Sequence, residues 1–151
     1  MQHGHAVTVI SSKAEKQKDI EALGARAAIG TIDDVKFLTD TFTGADAVYS
    51  MLPPFNNFDP NLDKTAGAIK LAGNYVQAVR KSGAKRVVHL SSIGAHLAKG
   101  SGLILFHHAA ENIMKELPMD VAITFMRPTS FYYNLYDLAD MIKGKGILGL
   151  F

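Results

Sequence analysis

Five short apolar runs, each separated from the next by a segment of helical length, constrain this chain more than any other feature. The runs are residues 6–11 (AVTVIS), 25–29 (ARAAI), 45–52 (ADAVYSML), Arg86–Leu90 (RVVHL) and 121–126 (VAITFM). Runs this short and this rich in β-branched residues read as buried strands. Between them, 13–23, 62–81 and 103–117 carry helical patterning, and a further helix starts near Asp33 and closes at Gly44. Residues 132–143 read as one more helix, followed by an apolar tail at 144–151. Strand–helix alternation builds a parallel sheet covered by helices on both faces. The expectation is one α/β domain with Val48, Val87, Val88 and Ile123 buried.

Bulk properties narrow the function classes. The chain of 151 residues is 48% hydrophobic and 20% charged, with net charge +2, an ordinary globular composition long enough for a real core. No stretch gathers Lys and Arg into a stripe, so nucleic acid is not an expected partner. Cysteine is absent, which removes disulfides, thiol nucleophiles and cysteine-ligated zinc and fits a reducing cytoplasm. No apolar run is long enough for a bilayer, and the first residues, MQHGHAVTV, lack a signal-peptide layout. His3/His5 and His107/His108 are too closely spaced, with too few further ligands, to suggest a metal site.

In open α/β sheets, ligands bind beyond the carboxyl ends of the strands. The fourth run ends in Ser91-Ser92, the third in Pro53-Pro54 and the fifth in Arg127-Pro128. Each pair is either a plain strand terminator or part of a ligand site. His107 and Glu111 stand at i, i+4 and share a helix face. They are either a surface ion pair or a proton-carrying pair, since histidine titrates near neutral pH.

The strings GHAVTVISS, ALGARAAIGTIDD, GADAVYSMLPP, SGAKRVVHLSSIGA and AITFMRPTSFYYN together resemble the NmrA-like family of atypical short-chain dehydrogenase/reductases, nearest its quinone-oxidoreductase-like branch. The resemblance spans nearly the whole chain. It implies a Rossmann-like doubly wound parallel sheet that binds NAD(P)H, either reducing quinones and other small electrophiles or sensing nucleotide without turnover. By resemblance, Ser11, Ser12 and Lys13 meet the ribose of the adenosine. Hydroxyls and a cation there, in place of an acidic residue, favour NADP(H) over NAD(H); Ser12 also reads as an ordinary helix cap. Thr31, Ile32 and Asp33 lie beside the adenine, with Asp33 equally readable as a helix cap. Met51, Leu52, Pro53 and Pro54 run under the nicotinamide ribose, and Ser91 and Ser92 flank the nicotinamide. Arg127, Pro128 and Thr129 cover the ring, while Phe131 and Asn134 begin the substrate pocket for a small acceptor; Phe131, Tyr132 and Tyr133 are equally readable as core aromatics. The Tyr-xxx-Lys of typical short-chain dehydrogenases is replaced by His107 and Glu111, leaving His107 and Ser91 as the catalytic candidates.

One departure from the family matters. The family opens on a strand and a GxxGxxG turn that cradles the pyrophosphate at a helix N-terminus, and this chain shows neither. The expected sheet is therefore incomplete, its first and central strand absent. An inactive fragment stands beside the enzyme and sensor readings. The 151-residue species is predicted to bind dinucleotide weakly or not at all, and its two unpartnered strand edges to give a closed-up sheet, a strand-exchanged homodimer or poor solubility, with the dimer favoured. Light scattering with an NADPH fluorescence titration checks this. A monomer that binds NADPH at micromolar concentration overturns it.

Overall fold

The computed structural model describes residues 4–55, 62–100 and 102–133, together with Tyr136, Ala139, Lys143 and Gly144. In chain order it contains β1 (Thr8–Ser11), a 3-10 turn (Ala14–Lys16), α1 (Gln17–Ala22), β2 (Arg26–Ile29), α2 (Val35–Phe42) and β3 (Val48–Met51). Then follow α3 (Lys64–Ser82), β4 (Arg86–Leu90), a second 3-10 turn (Gly102–Ile104), α4 (Leu105–Met114) and β5 (Ala122–Met126). All five expected strands are present. They are shorter than their apolar runs, except β4, whose bounds match. Most of the expected helix at 132–143 lies outside the described residues.

Every ladder is parallel, but the strands form two sheets where one was expected. β1 pairs with β2, with Val9 opposite Ala27. β4 lies between β3 and β5, with Val87 opposite Val48 on one side and Ile123 on the other. Among the described residues no ladder joins β1 to β3. This matches the expected gap where a central strand would stand.

The core sits on one face of the three-stranded sheet. α3 presents Ala68, Leu71, Ala72, Tyr75, Val76 and Val79 inward, the 3, 4, 7, 8, 11 spacing of an apolar helix stripe. Its alanines let α4 and α2 pack close on either side. Asp63 caps its start by accepting from the Ala66 N–H at 2.9 Å. Gly83 ends it at φ 76°, the left-handed position where glycine carries no Cβ penalty. α2 is capped by Asp34, which accepts from the Phe37 N–H at 3.0 Å. The cap is thus Asp34 and not Asp33, because Asp33 turns its carboxylate to Lys70 of α3 at 2.6 Å. Ser12 caps nothing either, since the 3-10 turn begins from Lys13 without a side-chain cap.

The opposite face of the three-stranded sheet is open. Tyr49 is 57% exposed, Met51 46% and Met126 45%. Val48 and Val87 are buried as expected, whereas Val88 and Ile123 are only half-buried. Val88 has its side chain on the uncovered face, opposite to that of Val87.

Leu38 of α2 is fully buried in the core. Leu38→Ala is predicted to destabilise the fold by about 2–5 kcal/mol through lost apolar burial and a residual cavity, measured by urea unfolding. A loss below about 0.5 kcal/mol, typical of surface sites, contradicts the packing described.

Candidate functional site

The carboxyl ends of β3, β4 and β5 converge on a pocket of about 610 Å³, within the usual size for a small-molecule site. Met51, Leu52, Pro53, Pro54 and Phe55 form one wall. Leu90, Ser91, Ser92 and Ile93 form the floor, and Pro128, Thr129, Ser130 and Phe131 another wall. Ile104, Phe106 and His107 close it from α4 and its approach. The lining is mostly apolar, with polar atoms confined to the serines, Thr129 and His107.

Backbone bonds fix these loops to one another. The Ser91 N–H donates to the Met126 carbonyl at 2.7 Å, and the Ile93 N–H to the Pro128 carbonyl at 2.9 Å. The strand ladder thus continues past β4 and β5 into the pocket floor. Gly94, at φ 80°, then turns the chain away. At the end of β3, the Tyr75 hydroxyl donates to the Met51 carbonyl at 2.9 Å. Burial pushes the Tyr75 pKa up to about 12 against the opposing effect of that bond, so the hydroxyl stays a donor.

Beneath the floor is a buried charge. Glu111 of α4 is fully buried. Its Oε1 accepts from the Ser91 hydroxyl at 2.6 Å and from Arg127 Nε at 2.8 Å, and its Oε2 accepts from Arg127 Nη2 at 2.5 Å. Burial alone would raise its pKa. The hydrogen bonds from Arg127 and Ser91, with the charges of Arg127 and Lys115, outweigh burial and hold it below the usual value. The expected surface ion pair of His107 with Glu111 is therefore replaced by an internal one. A helix turns both residues to one side, but that side faces the sheet, and Arg127 reaches the carboxylate with a two-point fork.

His107 lines the pocket while its Nδ1 is buried without a partner. Burial lowers its pKa against the attraction of Glu111. One strand inward, His89 is fully buried, and its Nδ1 lies 2.9 Å from the Ser50 hydroxyl. Its Nε2 has no partner. Burial, with the nearby His107, takes its pKa down to about 4 despite Glu111. His108 differs. Its Nδ1 bonds the Ala95 carbonyl at 2.8 Å and its Nε2 the Asn112 amide at 3.0 Å. Through these partners the ring ties α4 to the loop that follows Gly94.

The other predicted residues stand apart from this pocket. Ser11 ends β1 and Ser12 and Lys13 follow it, with the Lys13 N–H donating to the Ser11 hydroxyl at 3.2 Å. Thr31, Ile32 and Asp33 follow β2 and are pinned by α3. Asn74 donates to the Ile32 carbonyl at 3.1 Å, and Lys70 pairs with Asp33. The Arg127 guanidinium is turned to Glu111. Asn134 lies outside the described residues. Sequence reasoning missed the depth of Glu111, the buried His89, and Phe55, Ile104 and Phe106 in the wall. The i, i+4 spacing from His107 put Glu111 on the right helix face, but nothing in the sequence signalled its pairing with Arg127. Among the described residues no group of three His, Asp or Glu side chains is placed to hold a metal. No described helix is long and apolar enough to cross a membrane.

A parallel α/β layer with loops converging at strand carboxyl ends defines a Rossmann-like nucleotide-binding domain. The chain belongs to the NAD(P)H-binding family, whose sequence profile matches residues 1–134, in agreement with the NmrA-like resemblance. No curated protein matches it in sequence. Among solved structures, it is similar to the Citrobacter sp. triphenylmethane reductase complexed with NADP(H), at 18% identity and TM-score 0.70, covering 90% of this chain and 45% of that one. It is similar to the Escherichia coli NADPH-dependent quinone oxidoreductase complexed with NADPH, at 17% identity and TM-score 0.71, covering 92% and 45%. A nucleoside-diphosphate-sugar epimerase from Staphylococcus aureus matches at 14% identity and TM-score 0.71, covering 89% and 45%. The chain thus spans about 45% of the length of these structures. Identities this low establish the shared fold.

Stability is predicted to fall as pH drops from about 6.5 towards 4. His89 is neutral when folded and takes up a proton near its ordinary value, 6.5, when unfolded. The unfolded state therefore binds more protons across that window, and stability there rises with pH, by at most about 1.4 kcal/mol per unit from one group. Glu111, with its lowered pKa, adds a loss of the same sign at the acid end. Urea unfolding at pH 7, 5.5 and 4.5 checks this, and His89→Gln flattens the dependence between 6.5 and 5. An unchanged slope in that variant assigns the effect elsewhere.

Proposed function

We propose that this chain carries the nicotinamide side of an NADP(H) site in a cytoplasmic oxidoreductase that passes hydride to a small acceptor such as a quinone. The observation that supports this best is the pocket itself. It lies at the carboxyl ends of three parallel strands, in a chain of the NAD(P)H-binding family. Bound NADPH would supply the hydride. The chain's own residues orient it: Met51, Leu52 and Pro53 under the ribose, Ser91 and Ser92 at the ring, Pro128 and Thr129 over it. His107 is the proton carrier for a reduced acceptor, and Phe131 faces the acceptor side of the pocket. Ser11, half-buried, with the exposed Ser12 and Lys13 at the end of β1, supplies hydroxyls and a cation that favour a 2′-phosphate and hence NADP(H).

A second reading, a nucleotide-sensing module without turnover, draws on one specific observation. The site is poor in acid, since the Ser91 proton is committed to Glu111 and burial disfavours protonated His107.

Parallel titration with NADPH and NADH, read by fluorescence, tests cofactor choice. Whatever dinucleotide binding remains without the glycine-rich turn is expected to favour NADPH by about tenfold, and Lys13→Glu to remove the difference. Equal or tighter NADH binding overturns the NADP(H) assignment. Oxidation of bound NADPH by a benzoquinone supports the enzyme. Tight NADPH binding with no turnover across a panel of quinones supports the sensor.

A further inference from the structure

The direction of one hydrogen bond determines what the pocket floor can recognise. An ionised carboxylate only accepts, and Glu111 is held ionised by a two-point contact from Arg127. The Ser91 hydroxyl, 2.6 Å from Oε1, therefore donates its single proton downward to Glu111. The same serine is fixed by its own N–H on the Met126 carbonyl, and it lines the pocket. What it offers to a ligand is lone pairs alone. In the absence of Glu111 the same hydroxyl would rotate to suit either a donor or an acceptor. Here its polarity is set by a charge that never touches the ligand.

We propose that Ser91 is a specificity-determining acceptor, positioned by Glu111 and Arg127, which binds an N–H or O–H of the ligand and selects the primary carboxamide of a nicotinamide ring over a carbonyl that only accepts. The inference rests on the pocket holding a nicotinamide. A ketone or quinone oxygen finds no partner at Ser91, because the hydroxyl proton is already placed. Nicotinamide and 3-acetylpyridine differ in the group that would meet the serine, an amide NH2 against a methyl of nearly the same size. The site separates them by one hydrogen bond, leaving the Ser91 lone pair unmet in the second case.

The test uses the full 151-residue chain, isotopically labelled, titrated with each ring compound and followed by amide chemical shifts around Ser91 and Thr129. Nicotinamide is expected to bind about fivefold more tightly than 3-acetylpyridine, the ratio one net hydrogen bond confers. Ser91→Ala is expected to bring the ratio to about one with the fold intact. Glu111→Leu, which removes the acceptor below the serine and frees its proton, is expected to lower the ratio in the same direction while leaving the Ser91 oxygen in place. The wild-type comparison needs no variant and stands if either substitution unfolds the chain. Equal binding of the two rings by the wild type overturns the inference but leaves the nicotinamide reading intact. A preference that survives in Ser91→Ala overturns the role of this serine. Pocket shifts with neither ring overturn the nicotinamide reading itself, and the inference with it.

Discussion

Helix α3 holds together what the strands alone do not. No ladder joins the two sheets among the described residues, so hydrogen bonding along the strands cannot fix one against the other. α3 reaches both. Its Leu71, Tyr75 and Val79 belong to the same core as Val48 and Val87, and its Asn74 and Lys70 grip the loop that follows β2. Tyr75 adds a bond to the end of β3. The apolar part of this arrangement dominates the energetics, because Asn74 and Lys70 make two hydrogen bonds, one of them long at 3.5 Å, and one exposed ion pair, worth only about 1–3 kcal/mol together. The polar contacts set where the β2 loop stands, and burial keeps it there.

The second constraint is the carboxylate under the pocket. A lone buried charge is costly, and partnered ones often only break even against an apolar replacement. The Glu111–Arg127–Ser91 set is therefore weak evidence for stability. It is better evidence for geometry, since it fixes a helix, a strand end and the loop after β5 to one point. The neighbouring imidazoles carry a different kind of cost. His89 and His107 each keep a buried nitrogen without a partner, and native structures rarely tolerate such groups without a reason. Of the two, His107 lines the pocket, whereas His89 is enclosed in the core beneath it.

The sequence was most legible where local pattern and tertiary environment agree. RVVHL reads as a strand because it is a short run built on the β-branched Val87 and Val88 with Leu90, bounded by a turn and two serines, and it is one residue for residue. The α3 stripe reads as a helix because its inward positions repeat at helical spacing. Pattern was less informative where neighbours decide. Val88 carries the same apolar character as Val87, yet only a helix on its side would bury it fully, while Ile123 shares the covered face with Val87 but stands on β5, which among the described residues ends the sheet. Asp33 and Asp34 are equivalent as caps by type, and the choice fell to Lys70, some thirty-seven positions away. Glu111 looked like a surface acid because its partner, Arg127, is supplied by a different strand. A charge pair across a sheet has no local signature. The pocket followed from topology, since strand ends converge whatever their side chains, but its polarity required the hydrogen-bond directions.

That polarity bears on how binding and folding are linked in this molecule. The loops proposed for the adenosine end follow β1 and β2, and the pocket follows β3, β4 and β5. A dinucleotide seated across them would touch both sheets, which otherwise meet through α3. Any ligand that binds only the folded arrangement stabilises it in proportion to the logarithm of its concentration over Kd. The increment would fall on the relation between the two sheets, where strand pairing contributes nothing. Under the proposed function, the separation of the sheets and the split of the site between them would be one feature. A fold that leaves a junction to side-chain packing leaves there the largest scope for a ligand to act as structure.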